Sequence, residues 1–149
     1  MQAAIDLSIQ NIKQGGGPFG AVIVKDGEII AAMANSVTND NDPTAHAEVN
    51  AIRQAAKKLN TFDLSGCDIY ASCEPCPMCL GAIYWSRIDN LYFANNKNDA
   101  KAIGFDDSFI YDEIEKPYEK RKLKTTQMMG RQALEAFKLW EATENKTEY

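Results

Sequence analysis

Two short stretches thirty positions apart, His46-Ala47-Glu48 and Pro75-Cys76-Pro77-Met78-Cys79, are the most informative part of this chain. The first contains the only histidine in the sequence, and the second contains two cysteines three positions apart. One imidazole and two thiolates form a ligand set that Zn²⁺ prefers, and a site with three protein ligands leaves its fourth position open for water, as in catalytic zinc sites. Glu48 lies two residues beyond the histidine, where its carboxylate can reach that water without being a ligand. The sequence therefore predicts a catalytic zinc site.

The cysteines also allow other interpretations. Two disulfides would suit an exported protein, but the stretch Met1-Gln2-Ala3-Ala4-Ile5-Asp6 lacks the basic start and apolar core of a signal peptide. Cys73-x-x-Cys76-x-x-Cys79 begins an iron–sulfur pattern, yet the downstream Cys-Pro that completes it is missing. A thioredoxin-like redox pair explains neither the histidine nor Glu48. Zinc binding is the interpretation that uses all of these residues.

Composition and charge restrict the class of protein. The chain has 149 residues, enough for one domain with a sizeable core. Its net charge of −5 would repel a phosphate backbone, which disfavours non-specific nucleic-acid binding. No apolar run approaches the roughly 20 residues that a membrane span requires. We therefore expect a single domain over residues 1–149, located in the cytoplasm, with neither a membrane segment nor a nucleic-acid partner.

The pattern of apolar and turn-forming residues predicts alternating helices and strands. Asp26-Gly27 between two apolar runs indicates a hairpin. Helix 45–59 should be capped by Asp42 or Thr44, with Pro43 at its entry. The predicted helices are 2–13, 45–59, one opened by Pro75, and 131–143; the predicted strands are 21–24, 29–33, 68–72, 90–94 and 124–128, with loops at 35–44 and, with broken helix, 95–120. This order predicts an α/β protein, a three-layer α/β/α sandwich with a central five-stranded mixed sheet flanked by helices.

Helical spacing also predicts which faces are buried. Ile5, Ile9 and Ile12 repeat at helical spacing, so the first helix should be amphipathic, and Leu134, Phe137 and Trp140 should face inward on the last helix. Both metal-binding stretches fall at predicted helix N-termini. The positive ends of two helix dipoles would favour the thiolate form that metal binding requires.

In these two stretches the chain resembles the cytidine deaminase-like superfamily of zinc deaminases, whose signature is His-x-Glu followed by Pro-Cys-x-x-Cys. Residues 39–48 and 73–79 are similar to the nucleobase-deaminase branch, which includes tRNA adenosine deaminases. Further stretches resemble the bacterial guanine deaminases, and that similarity covers nearly the whole chain. These stretches are Gly17-Pro18-Phe19-Gly20-Ala21, Gly81-Ala82-Ile83-Tyr84-Trp85, residues 104–111 and Glu148-Tyr149.

The resemblance implies a cytidine deaminase-like fold and zinc-dependent hydrolysis of guanine, a purine base, to xanthine and ammonia in purine catabolism. It implies one Zn²⁺ per subunit, held by His46, Cys76 and Cys79. It implies two catalytic residues, Glu48 as the proton carrier and Asp107 as a helper at the 2-amino group. The implied substrate-binding residues are Asn35, Phe19, the Ala47 backbone, Trp85 and Tyr149. It also implies a homodimer, in which residues from about 130 to 149 cross to the partner subunit in some members.

The predicted reaction is attack of a zinc-activated water on C2 of guanine. Glu48 would take the water proton and return protons to the ring nitrogen and to the departing amine, because an amide anion cannot leave. Three other functions are compatible with the same zinc ligands. A tRNA adenosine deaminase would need a basic surface for its anticodon stem-loop, which the acidic chain disfavours. A guanosine or cytosine deaminase would share the chemistry, whereas a zinc-stabilised scaffold without turnover would have no need of Glu48.

Overall fold

The structure, a computed structural model, describes residues 1–149. Four strands form one sheet in the order β2-β1-β3-β4; β1 runs antiparallel to β2 and β3, and β3 runs parallel to β4. The helices and strands in chain order are α1 (Gln2–Lys13), β1 (Gly20–Lys25), β2 (Glu28–Ala34), α2 (Val37–Asp40), α3 (Ala47–Leu59), β3 (Cys67–Cys73), α4 (Pro77–Trp85), β4 (Asn90–Asn95), α5 (Lys97–Ala102), α6 (Ser108–Glu115), a 3₁₀ turn (Tyr118–Lys120) and α7 (Gly130–Ala142).

The chain divides into two compact units, Met1–Asp107 and Ser108–Tyr149. The first unit contains the sheet and helices α1 to α5, and the second contains α6, the 3₁₀ turn and α7. No helix combines the length and the apolar character needed to cross a bilayer.

Strand β1 shows why the first unit is layered. Its side chains alternate between the two faces of the sheet. Ala21 and Ile23 are fully buried in the core cluster that also contains Ala51 of α3. Gly20, on the opposite face, meets Ala4 of α1. Helices therefore cover both faces of a mixed sheet, and the predicted α/β/α class is confirmed.

The hairpin between β1 and β2 is also confirmed. Asp26 and Gly27 have φ angles of 51° and 81°, as the two central residues of a type I′ turn require. Lys25 pairs with Glu28 directly across this turn. The hairpin places Asn35 and the following loop at the open end of β2.

The predicted fifth strand is wrong, because residues 124–128 adopt no regular structure and the sheet has four strands. Two local features explain the difference. The Thr125 hydroxyl donates to the Leu123 carbonyl, a local bond that competes with strand pairing. Met128 is 77% exposed, so no buried face selects a strand here. The segment 35–44, which was predicted to be a loop, contains the short helix α2.

Helix α1 has the predicted bounds, 2–13, but the isoleucines that indicated it are not its buried residues. Ala4, Ser8 and Asn11 are buried, whereas Ile9 and Ile12 are 49% and 56% exposed. The reason lies in β1, where Gly20 has no side chain and lets the small residues of α1 approach the sheet. A Cβ added at Gly20 would lie 2.3 Å from the Ala4 carbonyl oxygen.

The predicted cap of helix α3 is wrong too. The carboxylate of Asp42 accepts hydrogen bonds from the Thr44 amide and hydroxyl, at 2.8 and 2.7 Å. Both candidate caps are therefore used in a local turn around Pro43. The helix begins two residues later, with His46 in the N-cap position.

Helix α7 lies within one residue of the predicted 131–143, but its predicted inner face is exposed. Leu134, Phe137 and Trp140 are 51%, 71% and 44% exposed, and no residue of α7 is buried. Helical periodicity identifies an apolar face but not whether the same chain covers it.

Gly20→Ala is expected to destabilise the protein by about 3 kcal/mol, because the new methyl group would overlap the backbone of α1. Gly81→Ala is the matched control, since its added Cβ would meet nothing within 4 Å apart from the neighbouring backbone of its own helix. Alanine at that helical position should change stability by less than about 1 kcal/mol. Urea unfolding of both variants measures the difference, and equal midpoints would contradict the proposed packing of α1.

Candidate active site

Two helix N-termini carry the cysteines and the histidine of the predicted metal site. His46 is the N-cap residue of α3, and Cys76 is the N-cap residue of α4, with extended backbone at both. The predicted start of this helix at Pro75 is wrong by two residues, because α4 begins at Pro77, in the first turn, where a missing amide hydrogen costs nothing. Cys79 follows in the same turn. The positive ends of both helix dipoles therefore lie beside the three side chains, as predicted.

The three side chains converge on one point. His46 Nδ1 lies 3.6 Å from Cys76 Sγ and 3.4 Å from Cys79 Sγ, and the two sulfur atoms are 3.6 Å apart. Tetrahedral zinc with ordinary bond lengths sets its ligands about 3.6 Å apart for sulfur and nitrogen and about 3.8 Å apart for two sulfurs. His46, Cys76 and Cys79 therefore fit one zinc ion without rearrangement.

Cys73 is not part of this ligand group. Its thiol lies 3.9 Å from the Asn96 carbonyl, and burial raises the pKa of Cys73 to about 11. A protonated thiol directed at a carbonyl does not close the fourth position of the metal. The geometry is that of an open, three-ligand site.

The ligands influence one another's protonation. A hydrogen bond from the Cys79 side chain, supported by one from His46, lowers the pKa of Cys76 to about 4. The pKa of Cys79 is raised, because its proton is shared with the Cys76 thiolate and because it is buried. The hydrogen bond to Cys76 raises the pKa of His46. Zinc binding requires both cysteines as thiolates and the histidine neutral, so metal uptake should release protons.

Glu48 lies in the first turn of α3 and is only 7% exposed. Burial raises the pKa of its carboxyl above the ordinary value. A carboxyl in such an environment accepts a proton more readily than an exposed one, which suits a group that carries protons near neutral pH.

A cavity of about 260 Å³ opens in front of the zinc ligands. Phe19 and Phe105 form an apolar wall, with ring centroids 4.9 Å apart and planes at 86°. Burial raises the pKa of Asp107, and the nearby Cys76 adds to this effect. The cavity is lined by Phe19, His46, Glu48, Cys73, Glu74, Cys76, Lys97, Ala100, Gly104, Phe105, Asp106 and Asp107. It therefore combines two acids of raised pKa, an aromatic wall and two of the three zinc ligands, His46 and Cys76.

The other predicted site residues lie outside this lining. Asn35 is buried beside it; its amide donates to the Phe19 carbonyl, and its side-chain oxygen accepts from the Val37 amide. Ala47 is fully buried between two lining residues. Trp85 borders a separate depression with Gly81, Tyr84 and Arg87. Tyr149 is exposed at the end of the second unit.

Several residues that line the cavity had no role predicted from the sequence, among them Phe105, Glu74 and Lys97. Phe105 lies two positions from Asp107 and Glu74 two positions from Cys76, and this proximity was the only signal in the sequence. Their position depends on where α5 lies in the fold, and a local motif does not encode this.

Comparisons with known proteins agree with this geometry. The zinc-binding region of cytidine and deoxycytidylate deaminases matches residues 1–95. The guanine deaminase of Bacillus subtilis is 53% identical over 150 aligned positions, which cover 100% of this chain and 96% of the relative. A tRNA-specific adenosine deaminase of Aquifex aeolicus is 45% identical over 94 positions, 63% of this chain and 62% of that one. The crystal structure of guanine deaminase from Bacillus subtilis superimposes with a TM-score of 0.97 over 99% of this chain and 95% of its own, at 53% identity.

Proposed function

Because the chain belongs to the family that carries the cytidine and deoxycytidylate deaminase zinc-binding region, we propose that it hydrolyses guanine to xanthine and ammonia. The zinc-dependent deaminase chemistry follows from the family and from the His46, Cys76 and Cys79 cluster. The preference for guanine is supported by the full-length similarity to a guanine deaminase, since the alignment with the adenosine deaminase is shorter. One observation carries the proposal: a buried carboxyl, Glu48, shares one cavity with an open three-ligand site.

When bound, zinc lowers the pKa of a coordinated water toward 7 and so supplies a nucleophile at neutral pH. Glu48 lines the cavity beside His46 and Cys76, where its buried carboxyl would accept a proton and hold it for delivery. It returns protons to the ring nitrogen beside C2 and to the departing amine. A carboxyl held outside the metal ligand set is required for these transfers.

Asp107 is proposed to assist the last transfer, at the 2-amino group. Its half-buried carboxyl lines the cavity with Glu48. The raised pKa of Asp107 favours a carboxyl that exchanges protons with an amine. Two acids in one small cavity can act on the two sides of the reacting carbon.

Substrate binding is proposed to use both aromatic and polar groups. Phe19 and Phe105 supply a wall against which a flat purine can stack. Asn35 and the Ala47 backbone lie beside that wall and are proposed to hydrogen-bond the base. Trp85 and Tyr149 are proposed to complete the pocket, as the resemblance implies.

Phe105→Ala is expected to raise the KM for guanine about 10-fold and to change kcat less, because the stacking surface is lost while the acids remain. Phe105→Tyr keeps the ring and should stay within about 3-fold of the wild-type KM. Steady-state kinetics with guanine checks both variants. An unchanged KM for the alanine variant would place the base elsewhere in the cavity.

We also propose a domain organisation, an oligomeric state and a cellular location. The chain is proposed to act as one functional domain and to form a homodimer, with the segment from about residue 130 to 149 exchanged between subunits. The exposed apolar face of α7, including Phe137 at 71% exposure, supports a partner for this helix. A cytoplasmic location is supported by four free cysteines, which a reducing compartment maintains.

The direct test is ammonia release from a panel of guanine, guanosine, cytosine, adenine and an anticodon hairpin, using the purified zinc-loaded chain. Guanine should be the preferred substrate. Reaction of the hairpin with guanine inert would favour tRNA adenosine deamination, and release from guanosine or cytosine alone would favour those substrates. A folded, zinc-loaded chain that releases no ammonia from any of them would leave the zinc scaffold as the better interpretation.

A further inference from the structure

The outer wall of the cavity is formed by one continuous segment, residues 96–107. Lys97, Ala100, Gly104, Phe105, Asp106 and Asp107 of this segment all line the cavity. Helix α5 occupies its first half, and the proposed second acid, Asp107, is its last residue. Residues 74–76, between β3 and α4, are called here the metal-binding loop, because they lead to the ligands Cys76 and Cys79. The position of Asp107 depends on how α5 is attached to this loop.

Helix α5 is well defined at both ends. A capping box joins Asn96 and Asp99 at its start. At its end the Gly104 and Phe105 amides donate to the Lys101 and Ala100 carbonyls, with Gly104 at φ +96°. An ion pair of 3.0 Å between Lys101 and Asp106 follows. A shift of the first turn of α5 would thus be carried through to Asp107.

Glu74 joins this segment to the zinc ligands. Its carboxylate oxygen Oε2 accepts a hydrogen bond of 2.9 Å from the Lys97 amide, the first of α5. Its own amide donates to the Asn95 carbonyl at 2.8 Å. In the sequence, Glu74 lies two residues before the ligand Cys76. One residue therefore connects the metal-binding loop to the start of α5 through both its main chain and its side chain.

A carboxylate at a helix N-terminus makes a charge-assisted bond and interacts favourably with the helix dipole. Both effects act on the same contact, between Glu74 and the first turn of α5. Glu74 is half-buried and borders the cavity, but its bond to the Lys97 amide is exposed to solvent, which weakens the contribution of its charge. Together with the bond from the Glu74 amide to the Asn95 carbonyl, it is suited to hold α5 in one position relative to the metal-binding loop.

We infer that Glu74 is a positioning residue: it fixes α5, and through α5 it sets the location of Asp107 relative to the zinc ligands. This inference rests on the proposed function, because it assigns Glu74 an effect on the reaction through Asp107. Glu74 itself transfers no proton and binds no metal. Displacement of a reacting group by about 1 Å costs up to about 100-fold in rate, so loss of the side-chain bond should be visible in kcat.

The test compares Glu74→Ala with Glu74→Gln, whose amide oxygen can still accept from the Lys97 amide. Glu74→Ala should lower kcat for guanine about 10- to 100-fold, change KM less than about 3-fold, and leave zinc content unchanged. Glu74→Gln should stay within about 3-fold of wild type. An equal loss in both variants, or no loss in Glu74→Ala, would overturn the inference.

A double variant separates positioning from an independent effect. When Asp107 is already replaced by alanine, adding Glu74→Ala should cost less than about 3-fold, because the group being positioned is absent. A full additional loss in that background would show that Glu74 acts independently of Asp107, which contradicts the inference.

Amide hydrogen exchange tests the positioning role of Glu74 independently of the proposed function, because it does not require catalytic activity. Glu74→Ala should speed exchange in residues 97–105 about 10-fold, and Glu74→Gln should not. If wild type releases no ammonia from guanine, the proposed function fails, and unchanged exchange in Glu74→Ala would overturn the positioning role as well. If another base of the panel reacts, the kinetic comparison is made with that base.

Discussion

Glu48→Gln is expected to retain one zinc per chain and to lose turnover by about 1000-fold, since general acid–base help is typically worth 10²–10⁴-fold. Glutamine has nearly the same size as glutamate but cannot take the water proton or deliver it to the amine. The carboxyl is 7% exposed, and burial disfavours its charged form. Removing that charge should leave the free energy of unfolding unchanged or higher. Lost activity in this variant would therefore not reflect unfolding.

The measurement combines zinc analysis, thermal unfolding and ammonia release for Glu48→Gln. Glu28→Gln is the matched control, because Glu28 lies exposed at the start of β2 beside the hairpin turn. The control should keep wild-type activity. Near-normal turnover in Glu48→Gln would contradict the assignment of Glu48 as the proton carrier, whatever the substrate.

Cys79→Ala is expected to abolish activity by removing a ligand. Zinc content should fall about 10-fold or more, because two remaining protein ligands hold zinc far less tightly than three. Zinc bound to the native state contributes to stability, so the variant should also unfold at a lower temperature than wild type.

The chain offers a closely matched control in Cys67→Ala. Cys67 and Cys79 are both fully buried, so each substitution leaves a similar small space. Cys67 lies in β3, outside the metal group, and its alanine variant should keep zinc and activity while losing about 1 kcal/mol of stability. Equal zinc content in the two variants would contradict the ligand assignment of Cys79.

The sequence correctly predicted those structural elements that are specified by neighbouring residues. The Asp26-Gly27 turn and the apolar runs on either side specify the β1–β2 hairpin without help from distant residues. The metal-binding stretches lie at helix N-termini as predicted, although α4 begins at Pro77 and not at the predicted Pro75, so that Cys76 is its N-cap and Cys79 lies in its first turn. The convergence with His46 was predicted from chemistry and agrees with the distances between the three side chains.

The predictions from the sequence were wrong where packing between residues distant in the sequence determines the structure. The buried face of α1 depends on Gly20, which is remote in sequence from the isoleucines that suggested the other face. The absent fifth strand had suitable threonines but no partner strand and no buried face. Phe105 and Glu74 were missed for a related reason: their place in the cavity follows from the position of α5, not from a motif.

The most direct test of the whole account is X-ray absorption at the zinc edge of the purified wild-type protein. Two sulfur neighbours at about 2.3 Å, with lighter atoms at about 2.0–2.1 Å, are expected from one imidazole, two thiolates and an open fourth position. A third sulfur neighbour would mean that Cys73 closes the site and that no position remains for a reacting water. That spectrum would contradict the catalytic assignment.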